Sequence, residues 1–121
     1  MQYILLVYEN TERWNALSKD EKNQIHEECS AWHFDLVKKG RSRTAMALHP
    51  VATATTVRAN EGHPILTDGP FAETREVLGG FEIIECDHLD EALEIAKQFP
   101  SLRVGFSMEV RPLRSEPCHE E

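Results

Sequence analysis

The first residues of the chain have the pattern of a central strand in a sheet. Residues 2–8 (Gln-Tyr-Ile-Leu-Leu-Val-Tyr) are apolar at both odd and even positions, and the run is too short for a helix. A strand with two apolar faces is normally covered on both sides. We therefore expect residues 2–8 to lie in the middle of a sheet.

The next regular pattern has helical spacing. Ser18 followed by Glu21 is a capping-box start, and Gly40 provides a stop. Between them lies an apolar stripe at intervals of three and four residues: Ile25, Cys29, Trp32 and Leu36. This pattern predicts a helix over 19–39.

Two extended segments follow, at about 43–49 and 53–59, separated by Pro50. The second is rich in threonine and valine, which favour strands, and we expect the two to pair as a hairpin or near-hairpin. Three shorter features come next: a turn at 60–62, an extended piece at 64–67 and a turn at 68–70.

Gly79 and Gly80 precede a strand predicted at 81–86. Phe81 and Ile83 alternate there with Glu82, although Ile84 makes the other face partly apolar. The paired glycines lack the spacing of a dinucleotide-binding loop, so we interpret them as a bulge or a close approach of two backbones.

The C-terminal third predicts a second helix and a last strand. Asp87 is the expected N-cap of the helix, and Pro100 is expected to terminate it. Apolar residues alternate with small or polar ones from Val104 to Val110, as in a half-buried strand. Residues 115–121 are predicted to be a flexible acidic tail.

The element order β-α-β-β-α-β predicts an α+β fold. It matches a ferredoxin-like unit, an antiparallel sheet with both helices on one face, of the dimeric α/β-barrel type. Residues 1–114 are expected to form this single domain. Since the other face of the sheet would expose Ile4 and Leu6, we expect a homodimer joined through the open sheet faces.

Composition narrows the classes of partner. The 121 residues (13.8 kDa) carry a net charge of −8, which disfavours direct nucleic-acid binding. The longest apolar run, residues 4–7, is too short to span a membrane. The three cysteines form no metal or disulfide motif, so we expect reduced thiols. We expect a cytoplasmic protein with no metal and no cofactor. His26, Cys29 and His33 share a helix face, but they extend over about 10.5 Å, too far to converge on one zinc ion.

Three stretches, 48–58, 67–85 and 108–113, carry a resemblance to a known family. The central one reads Thr-Asp-Gly-Pro-Phe-Ala-Glu-Thr-Arg-Glu-Val-Leu-Gly-Gly-Phe-Glu-Ile-Ile-Glu. Together with the opening residues 1–8, they resemble the YCII-related family in its Asp-Gly-Pro-Phe (DGPF) branch. The resemblance implies a ferredoxin-like domain that dimerises through its sheet. It also implies kinship with suspected enzymes that hold a His–Asp pair in a cleft, one branch of which eliminates chloride from a ring-cleavage product, and a setting beside extracytoplasmic-function sigma factors.

Asp68 corresponds to the aspartate of the family's Asp-Gly motif and is the predicted acid/base residue. The same Asp-Gly-Pro sequence is also ordinary turn chemistry, in which the carboxylate caps its own backbone. Two histidines are candidates to pair with Asp68: His33, at the edge of the first helix's apolar stripe, and His49, just before Pro50.

Three further residues are candidate ligand-binding residues: Arg75, Phe71 and Thr55. Arg75 and Glu73 are expected in a short helical turn. Arg75 has the chemistry to bind a carboxylate with two hydrogen bonds, or to form a surface ion pair with a neighbouring glutamate. Phe71 is expected to anchor the Asp68 loop in the core.

Two functional hypotheses follow. In the first, the protein is a small cofactor-free enzyme, lyase or hydrolase-like, that acts on a small anionic or aromatic-derived molecule with Asp68 as acid/base. In the second, it is a non-catalytic module that binds or senses a small ligand in a sigma-factor-linked stress response. A histidine within hydrogen-bond reach of Asp68 would distinguish them.

Overall fold

The structure, a computed structural model, describes residues 1–115 of the chain. Six strands and three helices are present in this range, with two short 3₁₀ segments at Val51–Thr53 and Pro100–Val104. The strands are β1 (Gln2–Asn10), β2 (Ser42–Ala47), β3 (Thr55–Asn60), β4 (His63–Asp68), β5 (Glu76–Glu85) and β6 (Ser107–Pro112). The helices are α1 (Thr11–Asn15), α2 (Lys19–Lys38) and α3 (Leu89–Lys97).

Four strands form one antiparallel sheet in the order β2-β5-β1-β6. As predicted, β1 lies inside the sheet, between β5 and β6. The α+β class with antiparallel sheets is confirmed, and the arrangement is consistent with the predicted ferredoxin-like fold. Strands β3 and β4 form a separate two-stranded hairpin.

One face of the sheet carries the core. Tyr3 and Leu5 of β1 pack there with Ile84 of β5, under Leu36 of α2 and two small residues of α3. Cys86 belongs to the same cluster, and burial raises the pKa of its thiol to about 11, which leaves it protonated and unreactive. The intervening side chains of β1 point to the opposite face, where they are only partly buried.

Helix α2 forms as its sequence predicts. Ser18 and Glu21 make both hydrogen bonds of the capping box. The helix ends before Gly40, whose φ of +73° is a left-handed conformation that glycine adopts without strain. Ile25 and Leu36 of the predicted stripe are buried.

The predicted hairpin between 43–49 and 53–59 is wrong. Strand β2 pairs instead with β5, and β3 pairs with β4 across a tight turn at Glu61–Gly62. The turn at 60–62 and the extended piece at 64–67 are therefore correct, but the extended piece is the hairpin partner of β3. The 3₁₀ segment after Pro50 turns the chain away from the sheet before β3 begins.

Four local features also differ from the prediction. A short helix, α1, occupies the polar stretch after β1, capped by the Asn10 side chain. His88 rather than Asp87 caps α3. Residues 73–75 form no helical turn, and β5 begins at Glu76, since 76–78 already pair with the end of β1. Val104 lies in a 3₁₀ segment that precedes the last strand.

The glycine pair is a bulge, as predicted. Val7 pairs with Gly80 and Tyr8 with Leu78, so Gly79 is an extra residue in β5. Gly80 also lies close to a neighbouring backbone, because a Cβ there would stand 2.8 Å from the carbonyl oxygen of Met46. Gly79 and Gly80 are therefore the site of both a bulge and a close approach of two backbones.

Within residues 1–115, no helix is both long enough and apolar enough to cross a membrane. The tail predicted at 115–121 lies outside the described residues except for Ser115.

We expect Gly80→Ala to lower the free energy of unfolding by about 1–3 kcal/mol, since its methyl group meets main-chain atoms of β2 that cannot move independently. Urea denaturation measures the loss. Gly79→Ala is the matched control because its methyl group meets only the flexible side chain of Glu9. Equal losses in the two variants would contradict this account of the bulge.

Candidate acid–base site

A cleft of about 400 Å³ opens between α2 and the core-bearing face of the sheet. We call it the helix-side cleft. Strands β1, β2 and β5 contribute its lower surface, and α1, α2 and the region around the second 3₁₀ segment contribute its walls. The polar and aromatic residues that line it include Glu9, Trp14, His26, Cys29, Trp32, His33, Glu82, Phe99, Ser101 and Phe106.

A buried carboxylate lies at one end of this cleft. Glu82 is 4% exposed, and its side chain points to the core-bearing face of β5. His33 Nδ1 lies 2.9 and 2.8 Å from the two carboxylate oxygens, and the Ser42 hydroxyl donates to Oε2 at 2.5 Å. His33 and Ser42 are thus the two hydrogen-bonding partners of this buried carboxylate, which would be costly to bury without them.

The contact with Glu82 indicates the tautomer of His33. Because an ionised carboxylate can only accept hydrogen bonds, its contact with His33 requires a hydrogen on Nδ1, and a neutral imidazole then carries none on Nε2. A neutral imidazole held in this way accepts a proton at Nε2, and the carboxylate stabilises the imidazolium that forms. The half-buried His33 therefore has the geometry of a general base.

Glu9 approaches the cleft from β1. Its side chain lies over Gly79, where any side chain on β5 would collide with its Cδ. Burial raises the pKa of Glu9 above its usual range, and within residues 1–115 its carboxylate has no hydrogen-bond or ion-pair partner. Glu9 is thus a second carboxylate in the cleft, and it is uncompensated.

Aromatic rings form much of the remaining wall. Trp14 packs edge-on against His26 at 5.2 Å and against Phe106 at 5.7 Å, measured between ring centroids. Trp32 and Phe99 form a second pair at 5.1 Å. Such walls suit a flat, apolar ring. Cys29 and Ser101 add a polar contact at 3.2 Å between Sγ and Oγ.

The predicted site residues are divided among different places. His33 lies in the helix-side cleft. His49, Thr55 and Phe71 come together in a second cleft of about 720 Å³ beside the hairpin, which we call the hairpin cleft. Arg75 is exposed and lines another surface depression.

Asp68 is exposed at the end of β4, opposite Thr55. Within residues 1–115, no hydrogen bond joins its carboxylate to His33 or His49. The expectation that Phe71 anchors the Asp68 loop in the core is wrong. Its side chain is 75% exposed, and the loop is held instead by Arg58, which donates to the carbonyl oxygen of Phe71.

Sequence reasoning missed Glu82 and Glu9. Glu82 was assigned to the polar alternation of its strand, but the Glu82/Ile84 face is the one that α2 and α3 cover. One signal was present: Glu82 lies between Phe81 and Ile83 in a strand that is apolar on both faces. Glu9 gives no comparable signal, because nothing local shows that a bulge lies beneath it.

The family model of the YCII-related domain matches residues 1–114. The chain belongs to the YCII-related family. This YCII-related chain is 39% identical over 114 residues to the uncharacterized protein R00369 of Rhizobium meliloti (strain 1021), with 93% of the chain and 92% of the relative covered. Among solved structures, it is similar to 5-chloro-2-hydroxyhydroquinone dehydrochlorinase (TftG) from Burkholderia phenoliruptrix AC1100, in complex with 2,5-dihydroxybenzoquinone. That similarity covers 94% of each chain with a TM-score of 0.56 and 14% identity, so it shows a shared fold.

The tautomer of His33 in this YCII-related protein is directly testable. We expect ¹⁵N NMR of neutral His33 to show a protonated Nδ1 and a bare Nε2, since Glu82 accepts from Nδ1–H. Glu82→Leu removes the acceptor, so the Nδ1–H tautomer should no longer be the main form of neutral His33. His63, exposed at the hairpin turn, is the internal control. A bare Nδ1 on wild-type His33 would contradict the assignment.

Proposed function

We propose that the protein is a cofactor-free enzyme of the lyase or hydrolase type that acts on a small ring compound in the helix-side cleft. The observation that carries the proposal is the buried Glu82 carboxylate bonded to His33 in that cleft. A ring fits the aromatic walls, and the His–Glu pair supplies acid–base chemistry without a metal or an organic cofactor. The fold shared with a dehydrochlorinase supports the lyase alternative.

In such a reaction Nε2 of His33 removes a proton from the substrate. For a chlorinated ring, the electron pair of the broken bond to hydrogen moves into the ring, and chloride leaves with the electrons of the carbon–chlorine bond. The imidazolium, stabilised by Glu82, then returns its proton to solvent. This assignment gives His33 and Glu82 the acid–base role that the sequence suggested for Asp68.

We expect turnover to depend on His33. The first substrates to test are 5-chloro-2-hydroxyhydroquinone and related chlorinated hydroxyquinols, with release of chloride measured under anaerobic conditions. His33→Gln should lower kcat/KM by about 10²- to 10⁴-fold, the usual contribution of a positioned general base. His63→Gln, which removes an exposed imidazole outside the cleft, should leave the rate unchanged.

A loss in His63→Gln equal to that in His33→Gln would contradict the assignment. If Asp68→Asn loses activity while His33→Gln keeps it, the acid–base role belongs to the hairpin as first predicted.

The alternative function is a non-catalytic ligand-binding or sensing module linked to a sigma-factor-regulated stress response. Two observations favour it: within residues 1–115 no hydrogen bond joins Asp68 to His33 or His49, and the hairpin cleft gathers the predicted residues His49, Thr55 and Phe71. Ligand-induced stabilisation that is lost in Thr55 or Phe71 variants, with no turnover of any substrate, would favour this function.

We further propose that the protein is a homodimer joined through the open faces of its sheets. That face carries Leu6 opposite Phe81, and Met46, 63% exposed, lies beside them on β2. Apolar side chains in such a cluster are costly to leave in water. We also keep the cytoplasmic location and the small-molecule ligand as proposals.

Light scattering should give about twice the chain mass of 13.8 kDa at micromolar concentration. Leu6→Lys places a charge on the face opposite the core and should shift the protein to monomer with its helix content retained. Val37→Lys is the matched control on the exposed side of α2 and should stay dimeric. A monomeric wild-type protein would overturn the proposal.

A further inference from the structure

The helix-side cleft has a distinct balance of charge. Two carboxylates, Glu9 and Glu82, face it, and no lysine or arginine of the described residues lines it. The carboxylate oxygens of Glu82 are already engaged by His33 and Ser42. Glu9 has no such partner within residues 1–115. Glu9 is therefore the carboxylate of the cleft whose oxygens are available to a ligand.

The two carboxylates lie at opposite ends of the cleft. Glu82 pairs with Leu5, and Glu9 follows Leu5 by four residues along β1, a distance of about 13 Å at strand spacing. On the opposite wall, His26 and His33 are separated by about 10.5 Å along α2. The space between the two ends has the length of a substituted benzene ring with a short side chain.

The Glu9 end carries the aromatic pair of Trp14 and Phe106. Trp14 follows β1 by a few residues, and Phe106 adjoins Ser107, which pairs with Tyr8. Trp14 already attracts a cation, since the ammonium of Lys22, which does not line the cleft, lies 5.9 Å from its ring centroid. A carboxylate beside aromatic faces is the chemistry that recognises an ammonium group.

We propose that the helix-side cleft binds a small aromatic amine, with its ammonium group between Glu9 and the rings of Trp14 and Phe106. The opposite end of the molecule then lies against His33 and Glu82. The inference rests on the proposed function for the identity of the site and names the charge class of its substrate. An anionic ligand would meet two carboxylates and, among the described residues that line the cleft, no lysine or arginine, so of the two substrate classes suggested by the sequence the aromatic-derived one is favoured.

Three nearly isosteric probes separate charge from shape: tyramine, tyrosol and 4-hydroxyphenylacetate, which end in an ammonium, a hydroxyl and a carboxylate. Isothermal titration calorimetry on the full chain near neutral pH should show tyramine binding at least tenfold more tightly than tyrosol. Binding of 4-hydroxyphenylacetate should be the weakest of the three.

Glu9→Gln keeps the shape of the side chain and removes its charge. It should abolish the preference for tyramine and change tyrosol binding by less than twofold. Glu12→Gln is the matched control, since it removes one negative charge from an exposed neighbour outside the cleft and should keep the preference.

Equal binding of tyramine and tyrosol, tighter binding of 4-hydroxyphenylacetate, or absence of binding by all three would overturn the proposal. A tyramine preference that survives in Glu9→Gln would overturn it as well. These results are independent of the turnover experiment on His33, so a cleft that binds amines without catalysis and a catalytic cleft that ignores charge are distinguishable outcomes.

Discussion

The helix-side cleft depends on two consecutive residues of β5 that have no side chains. Gly80 must let β2 approach, because any Cβ would press on the main chain of Met46. Gly79, the extra residue of the bulge, must leave room for the side chain of Glu9. Ordinary strand residues here would fill the space beneath α2 with their own side chains. The glycine pair therefore sets the sheet pairing and also creates the space for a ligand.

The cost of burying Glu82 explains why three separate elements meet at one end of that space. A carboxylate removed from water needs hydrogen-bond donors, and the structure supplies one from α2 and one from the first residue of β2. Helix α2 can bring His33 to this point only if its register is fixed, and the capping box at Ser18 fixes it at the N-terminal end. Such a group contributes little net stability, and its presence in the core agrees with the acid–base role that we propose for it.

Sequence patterns predicted what depends on local physics. The capping box and the glycine stop located α2, the apolar run located β1, and the paired glycines were interpreted correctly. The pairing of β2 was missed because strand propensity shows that a segment is extended but not which strand it meets. Glu82 was missed for a related reason: when both faces of a strand are partly apolar, alternation does not show which face the helices will cover. The family resemblance did not correct this, because it implied the acid/base role for Asp68, although the same stretch, 67–85, also contains Glu82.

The two carboxylates of the cleft differ in their partners: Glu82 is hydrogen-bonded, and Glu9 has no partner within the described residues. The two ends of the cleft are therefore chemically different. At one end the oxygens of Glu82 are engaged by their donors, and in the proposed function Glu82 acts through His33. At the other end burial disfavours the charged form of Glu9, and within the described residues no ion pair or hydrogen bond offsets that charge. The chain as a whole carries a net charge of −8. This charge adds a weak attraction for cations, which salt screens at long range. The ligand that we propose, positive at one end and polar at the other, would interact with both ends at once, whereas a related fold at 14% identity need share neither end. The fold positions the cleft, and the few side chains at its two ends determine what it selects.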